Sequence, residues 1–416
     1  MAELFTPSVG CADSSPASGE PDFSPSHPYS NILPPCGGGA ERREAEGITR
    51  KFAFLKWFLA ILPPVVLSVL FEVLKSDTVA IDLWVHGYLA PVIQTIGKFW
   101  SLLPFSAAEI IIARGSAALI LWPLRAVVLL VKQRRLGAFL HRLLAMVCAL
   151  AWAWSIFCWS WNCTYYATGF AARNGLPKAP YSPEQLIQAT VYFARSAARF
   201  SVDVPRAEDL SFALSVEECF ERGVPVYDNL SGQFPDLALS HRQAKPLVCS
   251  RLQSILGYTG IYFPFTGEAN VNVDQATCLV PATIAHEMAH QRLVASEQEC
   301  NFLGVMACVT CDDVVYQYSG YLMGLIYLVN ALQPIAPQVV EEIMRQTFTT
   351  ELYKDWQDNY EYWDALKTPT REVANEAMDH VYDGYLKSQG QTLGLMSYSA
   401  CVDLLVNAFI GNTNKM

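Results

Sequence analysis

The stretch Thr283-Ile284-Ala285-His286-Glu287-Met288-Ala289-His290 sets two imidazoles four positions apart, with a carboxylate directly after the first. On a helix, residues i and i+4 lie one above the other, so both rings can reach a single zinc ion at about 2 Å. Glu287, one position on, is turned toward water bound by that ion. Zinc lowers the pKa of such water and polarises a carbonyl, while the carboxylate takes the proton and passes it to the leaving amine. The chemistry this predicts is amide hydrolysis, with Zn2+ as cofactor and a peptide or protein as substrate. Chance alone produces the pentad in about one per cent of chains of this length. The surroundings strengthen it: Met288 and Ala289 are uncharged, no proline interrupts the pentad, and Glu297 and Glu299 follow closely.

A third ligand must come from another element. On one unbroken helix His286 and Glu297 would stand about 16 Å apart along the axis, so the chain has to turn after His290. Ser296 reads as the N-cap of a new helix with Glu299 at its third position, a capping box in which Glu299 reaches back to the Ser296 amide. That occupies Glu299 and frees Glu297 as third ligand, with Glu299 as the alternative. Asn301, one turn beyond Glu297, is then placed to accept from a ligand histidine.

The elements that position these residues follow from composition. The chain is 52% hydrophobic and only 16% charged, with a mean hydropathy of +0.21. A water-facing surface needs more charge than that, so part of the apolar surface faces lipid. Through residue 162 there are 13 Lys and Arg against 11 Asp and Glu; beyond it the numbers are 16 and 28. The acidic second part argues against nucleic acid and against docking on an anionic lipid surface.

Three apolar runs are long enough to cross a hydrocarbon core of about 30 Å: Trp57 to Leu74, about Ala107 to Val131, and about Ala138 to Trp159. The last ends in Trp159, Trp161, Tyr165 and Tyr166, an interfacial aromatic belt. Arg42, Arg43, Arg50 and Lys51 precede the first run, and Lys132, Arg134 and Arg135 separate the second from the third. Both basic groups belong in the cytoplasm. The expected organisation is a disordered, Pro-, Gly- and Ser-rich cytoplasmic tail over 1–52 without a signal peptide, three transmembrane helices within 53–162, and an extracytoplasmic domain over 163–416. The protein is thus read as a multi-pass cell-membrane protein with the lipid bilayer as a partner.

The texture after residue 163 is that of an α+β, mainly helical domain. Ser182 before Pro183 starts a helix to about Arg199. Residues from Gly260 to Val273 read as strand and hairpin with Gly267 in the turn, and helices are expected at about 279–292, 297–311, 314–332, 338–364, 370–389 and 396–410. Of twelve cysteines, eight lie after residue 162, which is compatible with disulfides in an exported domain. Cys308 and Cys311 form a lone CxxC, read as buried thiols or a local disulfide because no matching ligand pair completes a zinc site. His380, Arg371 and Tyr385 are candidates to donate to a developing oxyanion.

The segment His286 to Arg292 and the segment Glu297-Gln298-Glu299-Cys300-Asn301-Phe302 resemble a bacterial membrane family known as domain of unknown function 3810. So do Leu103-Pro104-Phe105-Ser106, Tyr262 to Asn270, Tyr318-Ser319-Gly320-Tyr321 and Tyr385 to Gly390. The resemblance covers nearly everything except the N-terminal tail and implies a membrane-anchored peptidase-like fold, without a substrate. More broadly the pattern is similar to the gluzincins, which implies Glu297 as zinc ligand and a substrate-pairing edge strand around Phe265, Thr266, Glu268 and Asn270. The sequence departs from these patterns at Leu293, where the nearest family has glycine, and at Asn301, where gluzincins have aspartate.

The reading that results is a gluzincin-like zinc metallopeptidase hydrolysing peptide bonds outside the membrane. The alternative is a non-catalytic membrane sensor or scaffold that keeps the metal fold, against which Glu287 stands, since such a protein has no need of a base beside the metal. A transporter would need polar residues in several spans. An intramembrane protease is disfavoured by Arg292, Glu297 and Glu299, which are costly in lipid.

Overall fold

The computed structural model describes residues 38–176, 179–239, 243–368, 380, 381, 383–385, 387–389 and 401–410. Arg371, most of the tail, and parts of the helices expected at 370–389 and 396–410 lie outside them. The chain divides into two compact units, Met1–Leu55 and Lys56–Met416, and every candidate site residue belongs to the second.

Among the described residues four helices, rather than the three evident from hydropathy, are long and apolar enough to cross a membrane: Leu55–Leu74, Thr78–Trp100, Ala107–Lys132 and Leu136–Tyr165. The first belongs to a helix that begins at Gly38, inside the stretch 1–52 expected as the tail. The segment Ala40 to Arg50 is rich in Ala, Glu and Arg, strong helix formers that outweigh the glycines before them.

Thr78–Trp100 is hidden in the sequence by Asp82, His86 and Lys98. Asp77 caps its start by accepting from Ala80 N at 3.1 Å, and a π-helical stretch, Leu83–Leu89, lies in its middle. It buries Ile81, Val85, Leu89, Ile93 and Gly97, an i+4 stripe, and exposes Val79, Leu83, Tyr88, Val92 and Phe99 on its other sides. Both of its ends reach the globular part of the chain. Asp82 accepts from Thr168 N at 2.7 Å and from its hydroxyl at 2.6 Å, and Trp100 O accepts from Lys245 Nζ at 2.8 Å.

The globular part is mainly helical around a small mixed sheet. The helix Pro183–Ser201 opens with a capping box, Ser182 Oγ accepting from Gln185 N and Gln185 Oε1 from Ser182 N. Its partner is Val314–Leu332, and the two approach closely because Phe193 fills the space that a Cβ on Gly324 would need. Each leucine buried in this core, such as Leu186, Leu322, Leu325 and Leu328, contributes about 1.5–3 kcal/mol. The single helix expected over 338–364 is two, Pro337–Thr347 and Thr350–Ala365. Thr349 makes the break, its hydroxyl accepting from Leu352 N at 3.1 Å to start the second.

The sheet has the order β1-β3-β2, with β1 Lys245–Pro246, β2 Gly260–Phe263 and β3 Glu268–Val271. β1 runs parallel to β3 and β2 antiparallel to it, Gly260 facing Val271 and Phe263 facing Glu268. The chain reverses between β2 and β3 through Gly267 at φ +67°. β3 is therefore the middle strand and buried throughout, and β2 is an outer strand among the described residues.

Candidate metal centre

The helix Val280–His290 opens with Pro281, whose missing N–H costs nothing in a first turn. Ala282, Ile284, Ala285, Met288 and Ala289 are buried, so the helix is enclosed on nearly every side. A polar side chain in such a place must find a partner or stay uncharged. His286 and His290 lie one turn apart with ring centroids separated by 5.1 Å, and of the two His286 is the more exposed.

The chain turns after His290. Arg292 N donates to Ala289 O and Leu293 N to His290 O, both at 2.9 Å, and Leu293 adopts φ +60°. That is the left-handed conformation that glycine takes without strain. The leucine is held there by burial among Phe71, Ile81, Val85 and Leu89 of the membrane-region helices. The next helix, Glu297–Thr310, packs so tightly on the first that a Cβ on Gly304 would lie 3.0 Å from His286 N.

This crossing brings Glu297 between the histidines. Its Oε2 lies 3.3 Å from His286 Nε2 and its Oε1 3.7 Å from His290 Nε2. One ligand atom from each of the three lies within 4.8 Å of the others, the one such group among the described residues. His290 Nδ1 is 2.8 Å from Val294 O, which can only accept, so Nδ1 carries a proton and Nε2 faces the cluster.

Burial alone would lower the pKa of His290, but Cys300 and Glu297 outweigh it and hold the imidazolium well above its ordinary value. Burial pushes the Cys300 thiol itself up to about 12, so the carboxylate is the charge that matters. Burial likewise pushes Glu297 up, but His290 and His286 dominate and leave it well below the usual carboxylate range. These groups share a proton for which a divalent cation would compete. Glu287 differs: burial, only partly offset by the two histidines, lifts its pKa to about 7. Its Oε2 is buried without a hydrogen-bond partner among the described residues, and its Oε1 occupies the space that a Cβ on Gly260 would take. Two imidazoles, one carboxylate and an orphaned carboxylate oxygen beside them fit zinc, whose usual donors are these and which leaves a position for water.

Several expected roles fall elsewhere. Ser296 makes no side-chain capping bond. Glu299 instead accepts from Phe170 N at 2.9 Å and Ala171 N at 3.0 Å, a partner more than 120 residues away that local pattern cannot reveal. Asn301 Oδ1 accepts from the Tyr327 hydroxyl at 2.9 Å, and it is Val294 O that holds His290. Glu268 and Asn270 lie in the middle strand, so they form no substrate edge; β1, too short to announce itself, covers that side. Thr266 donates to Glu268 Oε2 at 2.8 Å, and Phe265 packs on Phe263. Tyr385 donates to Asn162 Oδ1 at 2.9 Å, and His380 is exposed. Cys308 and Cys311 are free, buried thiols, as are most of the ten described cysteines, none of them in a disulfide. Sequence reasoning passes over Gly260 and Val294 at the site and assigns Trp161 to an interfacial belt, whereas its ring is buried and packs 5.7 Å from that of His290; of the three only Gly260, a glycine opening a strand, carries a local signal.

Residues 85–406 match the family described as "Protein of unknown function (DUF3810)". No curated protein matches the chain, and neither does any solved structure.

Proposed function

Since the chain belongs to the DUF3810 family, whose function is unknown, we propose from its own geometry that it is a membrane-anchored, zinc-dependent peptidase. One observation carries this reading: a fully buried Glu287 with an unpartnered oxygen stands beside the His286, His290 and Glu297 cluster. A carboxylate kept from water without a partner is costly in a merely structural role. His286, His290 and Glu297 would hold the ion through Nε2, Nε2 and a carboxylate oxygen. The ion supplies Lewis acidity toward a carbonyl and toward water. Glu287 would accept a proton at Oε2 and return it to a leaving amine, a role that a buried carboxylate beside the ligands is placed to play. Gly260 keeps that carboxylate in place by leaving it room. Val294 O holds the His290 ring.

The test is Glu287→Gln in the full-length protein. The variant should bind zinc like the wild type and lose peptide hydrolysis by roughly 10²–10⁴-fold. A Gln variant that still cleaves at the wild-type rate sinks the mechanism.

For the membrane region the reading is three crossings, with Thr78–Trp100 lying along the bilayer surface. A helix of 23 residues is long enough to cross, but contacts at Asp82 and at Trp100 join both ends to the same globular part. Three crossings also keep Lys132, Arg134 and Arg135 on the side of Arg42, Arg43, Arg50 and Lys51, opposite residues 163–416. Reporter fusions after Ser76, Ser101 and Asn162 should agree with each other and differ from one after Lys132. Opposite sides for Ser76 and Ser101 would mean four crossings.

A further inference from the structure

The outer end of the helix Leu136–Ser160 runs alongside the site. The ring of Trp161, the residue after this helix, lies 4.9 Å from Tyr262 and 5.7 Å from His290. One turn earlier, about 6 Å along the axis, Phe157 faces Phe265 at 6.4 Å, and Phe265 faces Phe263 at 5.3 Å. These contacts give β2 a direction. Its Phe263 end points down the helix, Tyr262 is level with His290, and Gly260 lies against Glu287. The four residues of β2 cover about 10 Å.

The hairpin is tied to the membrane region as well. At its base Glu268 accepts from Ala107 N and Ala108 N, the first amides of another apolar helix. Trp152, Trp154 and Trp159 lie toward the outer end of the last such helix and are exposed or half-buried, and aromatic residues of this kind gather at headgroup depth. Phe157, Phe263 and Phe265 are only half-buried, as is His286. An aromatic strip, half-buried at Phe157, Phe265 and Phe263 and buried at Tyr262 and Trp161, therefore leads from the end of the helix to the candidate ligands. A folded soluble protein would have to extend a loop to within about 10–15 Å of the headgroups to reach Glu287, by the same strand and helix rises.

We propose that the substrate is a membrane-anchored polypeptide, cleaved in the juxtamembrane segment that emerges beside Phe157. The proposal rests on the peptidase and topology reading above. It places the scissile bond about three to five extended residues from the bilayer surface, because the strip from Phe265 to Gly260 spans roughly that length of chain.

The test uses the full-length protein in vesicles of phosphatidylcholine and phosphatidylglycerol. It is co-reconstituted with single-span reporters whose 20-residue outer linker is randomised. Cleavage sites are mapped by mass spectrometry, with Glu287→Gln as control. Glu287-dependent cuts should lie three to five residues from the span and exceed those beyond residue ten by at least tenfold. Cuts spread evenly along the linker, or equal cleavage of the same linkers free in solution, overturn the proposal and leave the peptidase reading standing. No Glu287-dependent cleavage of any linker, anchored or free, overturns both. A second readout needs no turnover. In the Glu287→Gln protein a photo-crosslinking residue replacing Phe265 should capture the span-proximal end of the linker, and capture without regard to position counts against the proposal.

Discussion

Four glutamates are buried around the junction between the site and the membrane-region helices, Glu268, Glu287, Glu297 and Glu299, and they form two contrasting pairs. Glu268 accepts from Ala107 N, Ala108 N, Thr266 Oγ1 and the Lys245 ammonium. Glu299 accepts from Phe170 N and Ala171 N. Their partners are mostly backbone amides at the start of a helix, which favour an anion and never titrate. Glu297 faces imidazoles instead, and Glu287 keeps an oxygen with no partner. A buried carboxylate satisfied by amides fastens two elements together, whereas one facing imidazoles can exchange a proton for a cation. The first pair reads as architecture and the second as chemistry.

The sharpest way to break this contrast is to remove one member of each pair from the same helical turn. Structural zinc sites bind with about 10–16 kcal/mol spread over four ligands, so Glu297→Ala should weaken zinc by roughly 10²-fold or more. Glu299→Ala strips two buried amides of their acceptor at about 1–3 kcal/mol each. It should lower thermal stability while zinc affinity changes much less. Zinc titration and unfolding of both variants decide the matter. If only the Glu299 change releases zinc, the assignment is reversed.

The second pair can be sharpened by pH in chelator-treated protein. The folded pKa of Glu287, about 7, is raised above its ordinary 4.5, so the folded state binds this proton more tightly than the unfolded one. The stabilisation this gives is complete below pH 4.5 and is lost as pH rises through 7. Glu287→Gln stays neutral throughout. The variant should therefore match the wild type near pH 4.5 and be more stable by about 3 kcal/mol near pH 8. Parallel stability curves would show that burial does not strain the carboxylate.

What could be read from the sequence follows the same divide between local and distant partners. The Ser182 start, the helix holding His286 and His290, the Gly267 turn and three of the four long apolar helices are announced by residues within a few positions of one another. The turn that brings Glu297 to the histidines follows from helix length alone. Ser296 and Glu299 satisfy the local rule for a capping box, yet Glu299 is drawn to Phe170 and Ala171, which desolvate it and supply two amides at once. β3 looks like a free edge until Lys245–Pro246, two residues long, pairs with it. Thr78–Trp100 stays hidden because the polar residues Asp82, His86 and Lys98 beside its apolar stripe lower its hydropathy, and the partners of the first two, Thr168 and Arg173, lie far along the chain.

Leu293 joins the two kinds of region, since its backbone makes the turn between the histidines and Glu297 while its side chain packs among Phe71, Ile81, Val85 and Leu89. A left-handed conformation costs an ordinary residue about 1–2 kcal/mol, and glycine avoids that cost. Burying a leucine against apolar neighbours offsets it. Leu293→Ala would lose the packing and keep the strain, whereas Leu293→Gly would lose the packing and the strain together. In most settings alanine is the more stable of the two by about 0.5–1 kcal/mol; here the order should invert, glycine exceeding alanine by about 1 kcal/mol in thermal unfolding of the full-length protein. Zinc affinity should follow the same order, because this turn sets Val294 O against His290 and delivers Glu297 to the cluster. An alanine variant at least as stable as the glycine one would mean that the turn relaxes once the leucine is gone, and that the membrane-region packing holds the site in a conformation it would not otherwise keep.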